Sequence, residues 1–133
     1  MKEIYKQLEL VNNLNEAVKT LLDQLFEKLR VAYLHGVYFI DLNIDYGEKE
    51  ALDANANLIA EIKRLNSQHE SLRHDLREEQ TKLGSMCHEK FIELANAVSE
   101  GDKSIVAYLT GEYNLAVSLG GVIPFLAELS KIV

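Results

Sequence analysis

The chain has 133 residues, of which 47% are hydrophobic and 26% are charged, and its formal net charge is −7 at pH 7. That composition suits a folded domain and excludes a disordered chain. The acidic excess argues against a main role in binding nucleic-acid phosphates or anionic lipid, because both require a basic surface.

The acidic excess is concentrated in one short segment. Residues 41–61 carry one base and six acids, which gives this segment a net charge of −5. Such a segment can attract a basic partner, or block the nucleic-acid-binding surface of another protein by acting as an acidic mimic. Alternatively, it is a solvated helix start that suits the helix dipole.

We expect a cytoplasmic protein without a membrane anchor. Cys87 is the single cysteine, which excludes an internal disulfide and is typical of a reducing compartment. Charges recur every few residues near Met1, so the chain begins without the apolar core of a signal peptide. The longest uncharged apolar run, residues 115–127, is too short to span a bilayer.

A long first helix is predicted from about residue 3. Apolar residues recur at alternating spacings of four and three between residues 4 and 32. His35-Gly36 is typical of a helix C-terminus. Residues 38–46 alternate as in a strand, yet their apolar positions also continue the helical spacing. Because an isolated strand would lack a partner, we predict that the helix continues to about residue 46 with a kink at Gly36.

A second long helix is predicted from about residue 48 to residue 99, with Asp45 and Glu48 forming a capping box. Six of the eight heptad a and d positions between Ile62 and Met86 are apolar, as in a helix that packs along another helix. The apolar phase continues across Gly84, so we expect no break there. The predicted contact residues, named here the seam, are Ile62, Leu65, His69, Leu72, Leu76 and Leu83.

Shorter helices are predicted at about residues 103–119 and 122–132. Gly101 and Asp102 have the character of a C-cap and an N-cap, Gly120-Gly121 ends the first of these helices, and Pro124 suits the first turn of the second. The predicted fold is all-α and forms a single domain over residues 1–133. Two long antiparallel amphipathic helices form a coiled-coil-like hairpin, and two or three shorter C-terminal helices complete a helical bundle.

This layout of two long helices with a small helical cap is similar to that of secretion and flagellar export chaperones and of some phage-encoded regulatory proteins. The residues contain no motif that assigns the chain to any of these families. No functional residue is therefore carried over from them.

Two groups of residues suggest enzymatic or metal chemistry. Arg64 and His69 have a spacing used by some all-helical ribonucleases, in which histidine performs acid/base chemistry and arginine holds phosphate. Glu70, His74 and Glu78 share one helix face and could hold a transition metal weakly. The purely structural interpretation is that His69 packs on the seam and that Glu70, His74 and Glu78 form a solvated face.

We predict a non-enzymatic protein–protein interaction module, such as a scaffold, chaperone or inhibitor, that forms a homodimer or binds a helical partner. The reason is that two long helices carry wider apolar stripes than one antiparallel pair can cover. No cofactor and no nucleic-acid partner are expected, and a small hydrolase or ribonuclease is the alternative. Tyrosines supply either interface anchors or core-edge residues: Tyr33, Tyr38, Tyr46, Tyr108 and Tyr113.

Overall fold

The computed structural model describes all of residues 1–133 and is 83% helical with five helices, so the predicted all-α class is confirmed. In chain order the elements are α1 (Lys2–Leu34), β1 (Tyr38–Asp41), β2 (Ile44–Tyr46), α2 (Lys49–Ala54), α3 (Ala56–Ser99), α4 (Lys103–Leu119) and α5 (Val122–Ile132). None of these helices combines the length and the hydropathy that crossing a bilayer would require.

The first helix ends at Leu34, so the prediction that it continues to about residue 46 is wrong. Gly36 has a φ of 82°, and the Val37 N–H reaches back to the carbonyl of Ala32 at 2.9 Å. This is a Schellman motif, in which a left-handed glycine satisfies the last carbonyls and turns the chain away from the helix axis. Val37 is 1% exposed and fixes the new direction by packing into the core.

Residues 38–46 form a two-stranded antiparallel hairpin in which Tyr38 pairs with Tyr46 and Phe39 with Asp45. The alternating stretch therefore contains two strands instead of one, and each strand is the pairing partner of the other. At the turn, the Asp41 carboxylate accepts a hydrogen bond from the Asn43 N–H at 2.7 Å, which closes a two-residue loop.

The predicted capping box between Asp45 and Glu48 is also wrong. Glu48 occupies the N-cap of α2, but no side-chain hydrogen bond caps that helix. The Asp45 carboxylate instead accepts a hydrogen bond from the Lys63 ammonium at 2.6 Å, which holds the pKa of this carboxyl below its usual range. A break at Asn55 separates α2 from α3, so the second long helix begins at Ala56.

The remaining boundaries agree with the sequence analysis. Helix α3 continues through Gly84 to Ser99. Asp102 is the N-cap of α4, and its carboxylate accepts hydrogen bonds from the Ser104 hydroxyl at 2.7 Å and from the Ser104 N–H at 2.9 Å, in that order the main causes that lower its pKa. Gly120 ends α4 in the left-handed conformation.

The chain contains two compact units. The hairpin unit comprises residues 11–78, and the C-terminal unit comprises residues 1–10 together with residues 79–133. The single-domain organisation proposed from the sequence stays a prediction.

In the hairpin unit, α1 and α3 run antiparallel. Lys28 near the end of α1 pairs with Glu61 near the start of α3, at 3.6 Å. Further back along α1, Thr20 shares a groove with Ser71 of α3. The buried core between these elements consists of Leu21, Leu25, Ala32, Val37, Ile59, Ile62 and Leu65.

The C-terminal unit has its own core, built from the first turns of α1, the second half of α3, and α4 and α5. Its buried members are Ile4, Cys87, Phe91, Leu94, Ala95, Leu109, Tyr113, Leu126 and Leu129. Gln7 ties α1 to α3 in this unit, because its side-chain amide donates to the backbone carbonyl of Glu79 at 3.0 Å and to the Glu79 carboxylate at 2.6 Å.

Candidate interaction surfaces

The seam predicted on α3 faces the interior over most of its length. Ile62 is fully buried, and Leu65, His69 and Leu76 are between 4% and 9% exposed. Ile62 and Leu65 belong to the same core cluster as Leu25 of α1. These side chains are therefore already in contact with their own chain.

The other two seam residues are only partly buried. Leu72 packs against the core of the hairpin unit and lines an open groove of about 650 Å³ between α1 and α3. Leu83 packs against the core of the C-terminal unit. Contact between the seam and a second chain stays a prediction.

Arg64 and His69, the candidate ribonuclease pair, do not converge on a common cleft. Arg64 is exposed and its guanidinium lies 3.8 Å from the Glu61 carboxylate, one helical turn away. His69 is 8% exposed and lies on the buried side of α3. This arrangement lends the ribonuclease alternative no support.

The face that carries Glu70, His74 and Glu78 is exposed. His74 Nε2 lies 3.1 Å from the Glu78 carboxylate, while the Glu70 carboxylate accepts a hydrogen bond from the Asn66 amide at 3.4 Å. The structure contains no group of three or more His, Cys, Asp or Glu side chains arranged to hold a metal ion.

Cys87 is a buried core residue in contact with aromatic side chains rather than a surface nucleophile. It is 4% exposed, and burial raises the pKa of its thiol. Tyr113 lies in the same core and stacks on Phe91, with ring centroids 4.3 Å apart. The pKa of Tyr113 is also raised, mainly by burial and further by Cys87. A thiol held neutral in apolar surroundings is a packing group with low reactivity.

The outer side of α4 exposes large apolar side chains in the C-terminal unit. Tyr108 is 66% exposed, Leu115 54% and Leu119 77%. Lys103 and Glu112 are the only charged residues among the 17 of this helix. Contiguous apolar exposure on a helix with so little charge is typical of an interaction surface.

The end of α1 and the adjacent hairpin expose a second apolar surface, in the hairpin unit. The tyrosine site consists of Tyr33, Tyr38 and Tyr46, which all line one pocket of about 320 Å³. Ile40 and Ile44, next to these tyrosines in the hairpin, are 74% and 50% exposed. Of the five tyrosines considered as anchors, only Tyr113 is buried.

The sequence offered tyrosines of both surfaces as possible interface anchors, but it did not group them into these two surfaces. For the outer side of α4 the sequence did contain a signal, since residues 104–111 contain no charge and include a glycine within a predicted helix. The tyrosine site had no local signal, because folding of the hairpin is what brings Tyr46 beside Tyr38.

The chain matches no protein-family model, no curated protein and no solved structure.

Proposed function

We propose that the protein is a non-enzymatic protein–protein interaction module that forms a homodimer through the outer face of α4. As a module of this kind it would serve as a scaffold, chaperone or regulator. The observation that carries the proposal is the exposed stripe of large apolar and small residues on this helix. A cytoplasmic location is part of the proposal and is supported by the single, buried, unpaired Cys87.

Gly111 is the most informative residue of the stripe. Glycine in the middle of a helix costs roughly 0.5–1 kcal/mol relative to alanine. A Cβ on Gly111 would meet no atom within 4 Å, so nothing in its own chain requires a glycine there. A missing side chain on an exposed helix face allows the backbone of another molecule to approach closely.

Small residues alternate with large ones along this face. Ser104, Gly111 and Ser118 follow at seven-residue spacing, with Tyr108 and Leu115 between them. The two serine hydroxyls donate to groups of their own helix terminus or helix, Asp102 and Asn114, and so need no outside partner. Such an alternation leaves holes beside projecting side chains, and packed helices insert the side chains of one helix into the holes of the other.

A second copy fits this face because the pattern is nearly symmetric about Gly111. In an antiparallel pair of α4 helices that cross at Gly111, Tyr108 of each copy lies opposite Leu115 of the other, and Ser104 lies opposite Ser118. This is an isologous contact, the arrangement found in two-fold dimers. Helix α4 is about 25 Å long at 1.5 Å per residue. Its face is therefore small beside a standard interface of about 800 Å² per partner, and we expect a dissociation constant on the order of micromolar.

The test is the molecular mass in solution over a range of concentrations, by sedimentation equilibrium or light scattering. Gly111→Lys places a long charged side chain at the proposed crossing point, so we expect a monomer at concentrations where the wild type is a dimer. Lysine is a better helix former than glycine, and the fold of this variant should be at least as stable as the wild type.

Gly84→Lys is the matched control, because Gly84 is also an exposed glycine inside a helix whose added Cβ would meet nothing within 4 Å. We expect this variant to remain a dimer. A wild type that stays monomeric well above the expected dissociation constant would overturn the proposal, and so would a Gly111→Lys variant that still dimerises.

A further inference from the structure

The tyrosine site has the geometry of an open aromatic pocket. Tyr38 lies between the other two rings: its centroid is 5.4 Å from that of Tyr33, at an interplanar angle of 73°, and 5.4 Å from that of Tyr46, at 41°. The three side chains are 67%, 36% and 50% exposed in the order Tyr33, Tyr38, Tyr46. Ring faces inclined to one another around a pocket can contact one ligand group from several sides.

The segment that carries this pocket is strongly acidic. Residues 31–54 contain five carboxylates and one lysine, hence a net charge of −4. Asp45 is neutralised by Lys63, but Glu48, Glu50 and Asp53 are exposed and form no ion pair within the chain. Helix α2, which bears Glu50 and Asp53, lies close to the turn that joins α1 to the hairpin, since a Cβ on Gly36 would be 3.6 Å from that of Ala51.

We infer that the tyrosine site binds an arginine or lysine side chain of a basic segment from another protein. Tyrosine faces attract a cation through the ring quadrupole, and a guanidinium can also stack flat on a ring. An apolar pocket alone would accept any apolar side chain. The excess of carboxylates in this segment makes its potential negative and so favours a cationic occupant over an apolar one.

Two exposed apolar side chains follow pocket-lining residues in the chain: Leu34 follows Tyr33, and Ile40 follows Phe39. They are 67% and 74% exposed and would contact apolar residues that flank the cation in the bound segment. This site lies in the hairpin unit and uses none of the residues of the α4 face. The inference therefore stands independently of the proposed homodimer.

The experiment is an NMR titration of the full chain with two synthetic peptides. One is a Gly/Ser peptide containing arginines, and the other carries citrulline, which has nearly the same shape without the charge, at the same positions. We expect the arginine peptide to shift the ring signals of Tyr33, Tyr38 and Tyr46, and its affinity to fall as salt is added. The citrulline peptide should bind several-fold more weakly.

Variants identify the rings as the binding groups. Tyr33→Ala removes one ring from the exposed end of α1, and we expect it to weaken binding by about two- to fivefold. Tyr33→Phe keeps the ring face and should keep the affinity. Tyr5→Ala is the control, because Tyr5 is a 48% exposed tyrosine in the other unit and its removal should have no effect.

Three results would overturn the inference: no binding of the arginine peptide, equal binding of the citrulline peptide, or unchanged affinity in a Tyr33→Ala, Tyr46→Ala double variant. The Gly111→Lys variant separates the two proposals. It should bind the arginine peptide as the wild type does, whether or not the wild type proves to be a dimer.

Discussion

Gly36 and Gly47 lie against each other at the base of the β-hairpin, where the chain leaves α1 and returns toward α2. A Cβ placed on Gly47 would come within 2.5 Å of the carbonyl oxygen of Gly36. This close approach of two backbone segments is possible only because Gly47 has no side chain. The contact lies next to the strand pair of Tyr38 and Tyr46, which brings the two rings side by side.

Gly47→Ala should therefore destabilise the hairpin unit. The added methyl overlaps a backbone atom that cannot rotate away, and we expect a loss of about 1–3 kcal/mol in the free energy of unfolding. Urea unfolding measures the loss, and the near-ultraviolet circular dichroism of the tyrosines reports on the hairpin. Gly84→Ala is the control: a Cβ there has open space, so this variant should gain up to about 1 kcal/mol. Equal stability of Gly47→Ala and the wild type would contradict the steric argument.

When side chains of α3 are truncated to alanine, the loss of stability should depend on how deeply each side chain is buried and not on its heptad position. Ile62 is fully buried in the core of the hairpin unit, so Ile62→Ala should cost about 2–5 kcal/mol through lost contacts and the cavity left behind. Leu72 occupies an equally strong heptad position but lines an open groove, and Leu72→Ala should cost less. Urea unfolding of both variants checks the order. A larger loss for Leu72→Ala would mean that Leu72 is covered by another molecule in solution.

The parts of the fold that could be predicted from sequence depend on short-range signals. The spacing of Ile62, Leu65 and Leu76 predicts one buried face because a helix brings such positions together regardless of the rest of the chain. Asp102 and Gly120 mark helix ends for the same local reason, through a cap and a left-handed glycine.

The hairpin could not be predicted in this way, because both interpretations of residues 38–46 satisfy the local pattern. What decides between them is contact at a distance along the chain. Gly36 meets Gly47, and Asp45 bonds to Lys63, which is 18 residues further on. The tyrosine site depends on the same contacts, so the sequence could offer its three tyrosines as possible anchors but could not place them in one pocket.

The ion pair between Asp45 and Lys63 should make a small, pH-dependent contribution to stability. Lys63 lowers the pKa of Asp45 in the folded state from its ordinary 3.8. The contribution is thus fully present above pH 3.8 and is lost as the pH falls through the lower, folded-state pKa. Because the two side chains are 22% and 40% exposed, we expect less than about 1 kcal/mol.

Asp45→Asn tests this contribution. The urea midpoint of the variant should lie below that of the wild type at pH 7, and the difference should shrink as the pH falls well below 3.8, the ordinary pKa of this carboxyl. Asp53→Asn, which removes an exposed carboxylate without an ion pair, is the matched control and should change little. A difference for Asp45→Asn that stays constant at all pH values would exclude the ion pair as its cause.

The core of the C-terminal unit should be sensitive to alkaline pH. Burial raises the pKa of Cys87 above its ordinary 9.0 and that of Tyr113 above its ordinary 10.0. The folded state therefore favours both neutral forms. Below pH 9 the raised pKa values leave the free energy of unfolding unchanged, because both groups are protonated in the folded and in the unfolded chain. At higher pH the unfolded chain loses these protons first, and stability falls.

Cys87→Ala separates the thiol from the phenol of Tyr113. In the wild type, urea midpoints should begin to fall as the pH rises past 9.0, the ordinary thiol pKa. In the variant, the fall should begin only near the ordinary tyrosine pKa of 10.0. The buried thiol should also react with Ellman's reagent far more slowly in the native protein than in urea, because the reactive thiolate is scarce and covered. Native and unfolded chains that react at the same rate would show that Cys87 is reached by solvent, and the core packing around Phe91 and Tyr113 would then be wrong.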